Sequence, residues 1–475
     1  MRRLIRARHV IAFQNGGHAH LRDGVVVTEN DGILFVGKSF AGEVDATHSA
    51  GIVTPGFINT HAHLSESPLD KSFVEDRGPR QFYLSGLFEF LPARERAMDE
   101  AARAACIAFS VPELLKTGTT TVMEIGGHGE RVIETAVRHG LRAYVGQSFR
   151  SGRWFTDDGR TVRYEWFEDD GAAAFERALA FSAAHEGSHG DLIRTFLTPS
   201  QVDTVSEAML KKARAAASDL GVPLALHTSQ SVPEFQEMTR RHGLTPIEWL
   251  ERIGFLGPDV ILGHAIIPGG SSWANYAADD VGILADTGTN VAHAVWVFAR
   301  RGIAMESFAR YRARGVNMTL ATDTCPQSMI EALRWTAVLS KVVDRQTEVG
   351  TAADVFEAAT LGGARALGRE DLGRIAPGAK ADLLLWRGDS LTMAPVRDPV
   401  RNIVYSAQAE DLDTVIVDGR IAVEGGQVPG VDEAALAADL QAAAERMWAN
   451  VSAGDWADRS IDALSPESLP EFRGA

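Results

Sequence analysis

The stretch Ile52-Val53-Thr54-Pro55-Gly56-Phe57-Ile58-Asn59-Thr60-His61-Ala62-His63 decides the fold. A short apolar run ends there in two histidines that are two positions apart. Side chains at positions i and i+2 of a strand face the same side, so both imidazoles are expected to point into one space and could grip one divalent ion. A His-X-His motif alone is a weak signal, and the surrounding chain has to supply the context.

Seven further apolar runs follow this one and alternate with amphipathic segments rich in Ala, Arg and Glu. The eight predicted strands are 52–60, 119–124, 142–148, 193–198, 222–227, 260–264, 289–293 and 316–322, and predicted helices between them include 98–116, 172–184, 206–220 and 328–344. Strands that alternate with helices indicate parallel βα units, and eight such units close a barrel. The predicted fold class is therefore α/β, a (β/α)8 TIM barrel.

Short β patterns flank the barrel at both ends of the chain. Turn residues separate predicted strands at 3–7, 10–13, 24–28 and 33–36, and the pattern returns at 381–386, 412–417 and 420–423. We expect both chain ends to form one small β-sandwich domain, with a helix near 432–447 after it. The predicted boundaries are 1–54 and 374–430 for the small domain, 55–373 for the barrel, and 431–475 for the helix and tail.

Composition narrows the possible partners. The chain has 475 residues, 45% of them hydrophobic, and a formal net charge of −16, which suits a large core and argues against a nucleic-acid partner. Cys106 and Cys325 form no CxxC pair, which argues against a sulfur-ligated zinc site and a disulfide framework. No signal-peptide core or membrane span is visible. We expect a cytoplasmic homo-oligomer that acts on a small molecule.

Ligand-type residues stand where four of the predicted strands end. His61 and His63 follow the first strand, His227 the fifth, His264 the sixth and Asp323 the eighth. The C-terminal ends of barrel strands converge on one face, and catalysis in barrels of this type takes place there. Four such placements favour a shared site over a set of unrelated core residues.

At this point the chain resembles a known family. The resemblance rests on four segments: Pro55-Gly56-Phe57-Ile58-Asn59-Thr60-His61-Ala62-His63, Lys116-Thr117-Gly118-Thr119-Thr120-Thr121-Val122, Gly373-Arg374-Ile375-Ala376-Pro377-Gly378-Ala379-Lys380-Ala381-Asp382-Leu383 and Val415-Ile416-Val417-Asp418-Gly419-Arg420. Together they resemble the amidohydrolase superfamily, in its mononuclear-metal branch with the deaminases and triazine hydrolases. The similarity extends over nearly the whole chain, to Val423.

The resemblance implies roles for the residues at the strand ends. By it, His61, His63, His227 and Asp323 are metal ligands for one divalent ion, with zinc expected and iron possible. Asp323 and His264 are then the catalytic residues, with His264 bonded to the substrate or the attacking water. A substrate-facing His293 and a merely packed His293 both stay open.

Two departures separate the chain from the deaminases of this branch. Gln230 stands where they carry a proton-shuttling glutamate, and it cannot act as an acid or base. Ser200 stands where they carry a histidine after strand four. Within the superfamily, the segments 69–73, 298–302 and 322–326 resemble phenylurea and thiocarbamate (molinate-type) hydrolases most closely.

Two long connections, 64–98 and 150–170, are rich in aromatic residues, and Trp296 follows strand seven. Long ordered loops on the catalytic face are often lids, and aromatic linings suit apolar ligands. We therefore expect a metal-dependent amidohydrolase that cleaves a C–N bond of an uncharged, largely apolar amide, urea or carbamate, with substrate contacts from Gln230, Ser200, His293 and Trp296. The alternatives are a deaminase of a purine or pyrimidine analogue and an s-triazine hydrolase. A scaffold protein that had lost its chemistry should also have lost ligands.

Overall fold

The computed structural model describes residues 1–472. Within them the strands are β1 (Arg2–Gln14), β2 (Gly17–Glu29), β3 (Gly32–Gly37), β4 (Ala46–Pro55), β5 (Phe57–Ala62), β6 (Thr119–Gly126), β7 (Arg142–Phe149), β8 (Gly152–Phe155), β9 (Arg163–Trp166), β10 (Ile193–Pro199), β11 (Leu224–Thr228), β12 (Val260–His264), β13 (Asn290–His293), β14 (Met318–Leu320), β15 (Leu383–Trp386), β16 (Leu412–Val417) and β17 (Arg420–Val423).

The helices of the same residues are α1 (Phe90–Ala97), α2 (Glu100–Lys116), α3 (Gly129–His139), α4 (Ala172–His185), α5 (Ser188–Asp191), α6 (Glu207–Leu220), α7 (Val232–His242), α8 (Pro246–Arg252), α9 (Asp280–Thr287), α10 (Val295–Ala299), α11 (Phe308–Ala313), α12 (Met329–Asp344), α13 (Ala352–Glu357), α14 (Gly363–Ala366), α15 (Pro399–Tyr405), α16 (Glu433–Asn450) and α17 (Ile461–Leu464). The long predicted helices are confirmed to within three residues at each end. Polar N-caps such as Ser206 and Ser328 accept backbone hydrogen bonds and fix where α6 and α12 begin.

Eight parallel strands form the predicted (β/α)8 barrel, in the order β5-β6-β7-β10-β11-β12-β13-β14. The barrel closes where the ends of β5 and β14 meet. There the His63 amide donates to the Asp323 carbonyl at 2.9 Å, and the Asp323 amide donates to the His61 carbonyl at 2.9 Å. The candidate ligands at positions 61, 63 and 323 therefore sit on the seam of the barrel.

The predicted first barrel strand, 52–60, is wrong in one respect, because it is two strands. Residues up to Pro55 belong to β4 of the small sheet, and the barrel strand β5 begins at Phe57. Gly56 marks the break: its amide donates to the Asp382 carbonyl at 3.0 Å, and a Cβ atom there would collide with the Thr120 side chain. Only glycine lets the chain pass this close on its way between the sheets.

Both ends of the chain build one small sheet, as predicted, with the order β17-β16-β15-β4-β1-β2-β3. The separate strands predicted at 3–7 and 10–13 are wrong, because β1 runs unbroken from Arg2 to Gln14. It pairs with β2 from Arg2–Glu29 to Gln14–Gly17. The polar pair at positions 8 and 9 therefore does not make a turn, and the chain turns only at the glycines beyond β1.

The two long connections meet above the barrel mouth. Trp154, from the connection after strand three, donates from Nε1 to the Leu87 carbonyl at 3.2 Å. Four residues before Leu87 in the first connection, the Tyr83 hydroxyl accepts from Gln236 Nε2 at 3.3 Å, and Gln236 lies on the helix after strand five. The segment 83–88 thus contacts elements that follow barrel strands three and five, and it is called the lid segment below.

The helix predicted near 432–447 is α16, which packs against α1 and α2 in a second apolar core. That core includes Phe73, Cys106, Met447 and Leu464. Cys106 and Cys325 are both buried and unbonded. No helix of residues 1–472 is long and apolar enough to cross a membrane.

Candidate metal centre and active site

The structure brings five of the predicted site residues together at the C-terminal ends of the barrel strands. Two overlapping groups, His61 with His63 and His227, and His61 with His264 and Asp323, each place their ligand atoms within 4.8 Å of one another. His61 is fully buried, and His264 and Asp323 are buried almost as deeply. Asp323 Oδ1 lies 3.4 Å from Nε2 of both His61 and His63.

Hydrogen bonds fix which nitrogens face the centre. Nδ1 of His63 donates to the Ile125 carbonyl at 2.6 Å, and Nδ1 of His227 donates to the Ser200 carbonyl at 2.6 Å. Because each ring gives its proton to a carbonyl, each neutral ring presents a bare lone pair at Nε2. Those two Nε2 atoms face each other at 3.2 Å. Such an arrangement suits a shared cation, because two acceptors this close repel without one.

The protonation states suit the same cation. Burial lowers the pKa of His61 and of His227, and the neighbouring histidines lower that of His227 further, so both rings are neutral. Burial raises the pKa of Asp323, but His264, His61 and His63 outweigh it and hold that pKa well below its usual range. Neutral imidazoles and an ionised carboxylate are the ligand forms that bind divalent metals. His61 also leaves both ring nitrogens buried without a hydrogen bond. The residues therefore fit one divalent ion.

Gly263 makes room for the most deeply buried ligand. A Cβ atom at Gly263 would lie 2.5 Å from Cε1 and 2.6 Å from Nδ1 of His61. Since His61 is fully buried, its ring has no free space into which it could move.

We expect Gly263→Ala to lower metal affinity by about 10- to 100-fold, the loss found when the orientation of a ligand is disturbed. Competition with a chelator measures it. Gly127→Ala is the control, because a Cβ atom there meets nothing within 4 Å. Equal affinity in the Gly263 variant and the wild type would contradict this account.

His264 packs against both His61 and Phe298. Its ring lies 4.8 Å from that of His61 and 4.8 Å from that of Phe298, between centroids. Burial lowers its pKa to about 3, and its Nδ1 has no hydrogen-bond partner. A neutral imidazole in this place can donate a hydrogen bond to a bound molecule.

Gln230 follows His227 by three positions, in the turn between β11 and α7. Its backbone amide donates to Glu234 Oε2 at 3.2 Å, and Glu234 also accepts from the Ser229 amide. Burial and Asp203 raise the pKa of Glu234 well above its usual range. Nε2 of Gln230 is buried and has no partner, so it is available to a ligand. The backbone carbonyl of Ser200 accepts the hydrogen bond from His227. Its hydroxyl makes no hydrogen bond to another of residues 1–472.

Trp296 lies away from the cluster, whereas His293 is close enough to His264 to help lower the pKa of that histidine. His293 lines a small internal cavity with apolar residues such as Ile266, Met305 and Phe308. Trp296 packs against Trp335 of α12, with ring centroids 5.4 Å apart. Phe298 stands beside His264 instead, because the short helix α10 turns Trp296 outward and Phe298 inward. Their expected contacts with the substrate stay predictions.

His293 should make the fold sensitive to acid. Burial lowers its pKa from 6.5 to about 4. Above pH 6.5 neither the folded nor the unfolded state is protonated, whereas below it the unfolded state takes up the proton first, so stability falls until about pH 4. We expect His293→Gln to remove about 2 kcal/mol of the stability lost between pH 7 and pH 5. Urea denaturation of both proteins at the two pH values measures the difference, and an equal loss in both would contradict it.

Two neighbours of the cluster were not predicted as site residues. Glu66 Oε1 lies 3.5 Å from Nδ1 of His63, and the only available signal was an acidic residue three positions after the histidine. Glu124, at the end of β6, is fully buried with both oxygens unbonded, and burial raises its pKa well above the usual range. A single glutamate at a strand end does not distinguish itself in a sequence.

Comparisons with known proteins match this architecture. The amidohydrolase family profile covers residues 52–422. A 5'-deoxyadenosine deaminase of Methanothermobacter thermautotrophicus is 29% identical over 443 residues, which cover 90% of this chain and 95% of the relative. Among solved structures, a zinc-bound adenosine deaminase from Xanthomonas campestris has 24% identity and a TM-score of 0.79, over 94% of this chain and 98% of its own. An atrazine chlorohydrolase from Arthrobacter aurescens TC1, complexed with zinc, has 22% identity and a TM-score of 0.77, over 93% and 100%.

The barrel with a histidine and aspartate centre at its C-terminal face defines an enzyme of the hydrolase class. The chain belongs to the amidohydrolase family, because the family profile covers more than three quarters of it. The two structural similarities establish the fold alone. The closer resemblance to phenylurea and thiocarbamate hydrolases stays a prediction.

Proposed function

We propose that the chain is a metal-dependent amidohydrolase that cleaves the C–N bond of an amide, urea or carbamate with an apolar group beside that bond. The observation that carries the proposal is the placement of ionised Asp323 and neutral His264 at one cluster of imidazoles, with the non-titrating Gln230 three positions after His227. The aromatic ring of Phe298 next to His264 favours an apolar group at the reacting carbon.

His61, His63, His227 and Asp323 would hold one divalent ion, and we propose zinc, with iron as the alternative for this ligand set. When bound, such an ion polarises a carbonyl and lowers the pKa of a water molecule toward about 7. The ring orientations of His63 and His227 are already fixed by their bonds to the Ile125 and Ser200 carbonyls.

In the proposed reaction, Asp323 accepts a proton from the attacking water while the water oxygen bonds to the carbonyl carbon. Neutral His264 donates a hydrogen bond to the carbonyl oxygen, which gains negative charge in the tetrahedral intermediate. Asp323 then returns its proton to the nitrogen as the C–N bond breaks. The products are an amine and a carboxylic acid from an amide, a carbamic acid from a urea, or a carbonic acid monoester from a carbamate, and Asp323 ends ionised as it began.

Deamination of a purine or pyrimidine analogue is the second candidate, because a relative that matches 90% of this chain is named a 5'-deoxyadenosine deaminase. The replacements at positions 230 and 200 argue against it, since neither a glutamine nor a serine shuttles a proton near neutral pH. Hydrolysis of an s-triazine is the third.

The deciding experiment is an assay of zinc-loaded protein with N-aryl amides, ureas and carbamates beside adenosine, guanine and cytosine analogues. We expect release of a substituted amine and no ammonia from the nucleobases. Ammonia from a nucleobase analogue, with no turnover of any amide, urea or carbamate, would reverse the ranking.

Gln230→Glu should add an ionisable group beside the proposed attacking water. A buried carboxylate titrates above its usual range, so we expect a new inflection in the pH dependence of kcat/KM. The control is Gln441→Glu, which makes the same change at an exposed position on α16, outside the barrel. If the profiles of both variants match that of the wild type, Gln230 lies outside the site.

A further inference from the structure

Arg301 lies beside the lid segment, and near enough to Asp323 of the candidate centre for that carboxylate to act on its charge. It follows the short helix α10, three positions after Phe298, whose ring contacts His264. It also meets the lid segment, since a Cβ atom at Gly86 would lie 3.4 Å from Nη2 of Arg301. Its guanidinium therefore stands at the space in which a substrate would be enclosed.

This guanidinium has no partner. Nε is fully buried without a hydrogen bond, and no side chain or carbonyl of residues 1–472 accepts a hydrogen bond from Nη1 or Nη2. The adjacent Arg300 also leaves its Nε unbonded, but its terminal nitrogens are paired. Arg300 donates from Nη1 to Glu75 at 2.9 Å and from Nη2 to Thr324 at 3.2 Å, and it thereby secures the segment after Asp323.

The carboxylates around Arg301 are already engaged. Asp70 accepts from Arg94 at 2.6 Å, and Glu75 accepts from Arg300. Asp323 belongs to the histidine cluster. Burial and Arg300 lower the pKa of Arg301 to about 10 despite the carboxylates of Asp70, Asp323 and Glu75, so the group is still charged at neutral pH.

An unpaired, largely buried cation is costly, because taking a charge out of water is repaid only by a partner. Arginine presents a planar fork of donors that matches a carboxylate with two parallel hydrogen bonds. A doubly charged phosphate is commonly met by several cations, whereas the neighbours Arg94 and Arg300 are both committed to carboxylates. A single negative charge fits the free guanidinium best.

We propose that Arg301 binds a carboxylate of the substrate, which makes the substrate an amide, urea or carbamate with a carboxylate on the part that lies under the lid. This inference rests on the proposed function for the reacting bond. The sequence analysis predicted an uncharged substrate, whereas this inference adds a carboxylate to it. The reacting bond is still expected to lie in apolar surroundings beside Phe298. Arg301 is then a specificity-determining residue that takes no part in proton transfer.

The test compares two probes that differ only in the charged group. Binding of N-benzoylglycine and of N-(2-hydroxyethyl)benzamide to the zinc-loaded protein is measured by calorimetry, and the pair is repeated with one and two more methylene groups in the spacer. We expect at least one carboxylate to bind about 10- to 100-fold more tightly than its alcohol, as a charge-assisted pair in a buried site allows. No preference for the carboxylate in any of the three pairs overturns the proposal.

Variants identify the group that is responsible. Arg301→Gln should remove the preference and leave the binding of the alcohol unchanged, and Arg301→Lys should retain part of it. Arg310→Gln, which removes an exposed arginine on α11, is the matched control and should bind as the wild type does. Unchanged carboxylate affinity in Arg301→Gln would place the carboxylate elsewhere, for instance on the metal, and equal losses for acid and alcohol would make Arg301 a structural residue. Both results overturn the proposal.

Two further experimental results would separate this inference from the proposed function. Benzylphosphonate is a third probe. If it binds more tightly than the carboxylates, and if Arg301→Gln removes that binding, the assignment of a carboxylate ligand is overturned. If the binding preference holds but only nucleobase analogues are turned over, the proposed reaction fails and the anion site stands. Circular dichroism and metal content verify that Arg301→Gln is folded, and Arg301→Lys carries the comparison if it is not.

Discussion

His63→Ala is expected to abolish detectable turnover and to lose the metal. The ring is held by its Nδ1 bond to the Ile125 carbonyl, and its Nε2 faces both Asp323 and His227. Loss of a group that hydrogen-bonds to a metal ligand typically lowers metal affinity by about 10- to 100-fold. Removing a ligand itself should lower the affinity by more. The same result is expected for His61→Ala and His227→Ala. Elemental analysis after dialysis, together with kcat/KM at saturating zinc, measures it.

His48→Ala is the matched control for these variants, because His48 lies on β4 of the small sheet, outside the barrel. It should keep about one metal ion per chain and the activity of the wild type. Full activity in a metal-depleted His63→Ala protein would overturn the site. Two ions at full occupancy in the wild type would overturn the single-ion centre.

His264→Asn is expected to keep the metal and to lower kcat by about 10²- to 10³-fold, the usual effect of removing one hydrogen-bond donor to a developing oxyanion. The neutral ring of His264 is buried beside His61 and Phe298, where a hydrogen bond gains strength from the exclusion of water. Steady-state kinetics and metal content separate the two properties.

His242→Asn is the control, since His242 stacks on Trp249 with ring centroids 4.5 Å apart, outside the cluster. If His264→Asn loses metal together with activity, His264 is itself a ligand, and the division of roles between it and His227 is wrong.

Most of the barrel could be predicted from the sequence, because a buried parallel strand is a nearly uninterrupted apolar run whose length and spacing are visible. The run 260–264 matches β12 at both ends. The prediction of the first strand was wrong because the mainly apolar stretch from Ile52 to Thr60 is buried throughout, although Gly56 divides it between two sheets. Hydrophobicity records burial and does not record which sheet buries a residue.

The candidate centre was also visible in advance, because the ends of barrel strands converge on one face whatever lies between them. The lining of the pocket was not. Trp296 and Phe298 are both aromatic and two positions apart, and only the direction of α10 decides which one meets His264. The unpaired state of Arg301 depends on which carboxylates Arg94 and Arg300 occupy, and pairings between distant segments leave no local trace in a sequence.

The seam between β5 and β14 links metal binding to the entropic cost of closing the barrel. β14 has only three residues, and in the buried seam Asn59 Nδ2 donates to Thr322 Oγ1 at 2.7 Å across 263 positions of the chain. Closing so long a loop carries an entropic cost that local contacts do not repay. An ion shared by His61, His63 and Asp323 would act there as a cross-link between the first and last strands, so its binding energy would also resist the opening of the barrel. Asp323 would then both transfer the proton and help to hold the first and last barrel strands together.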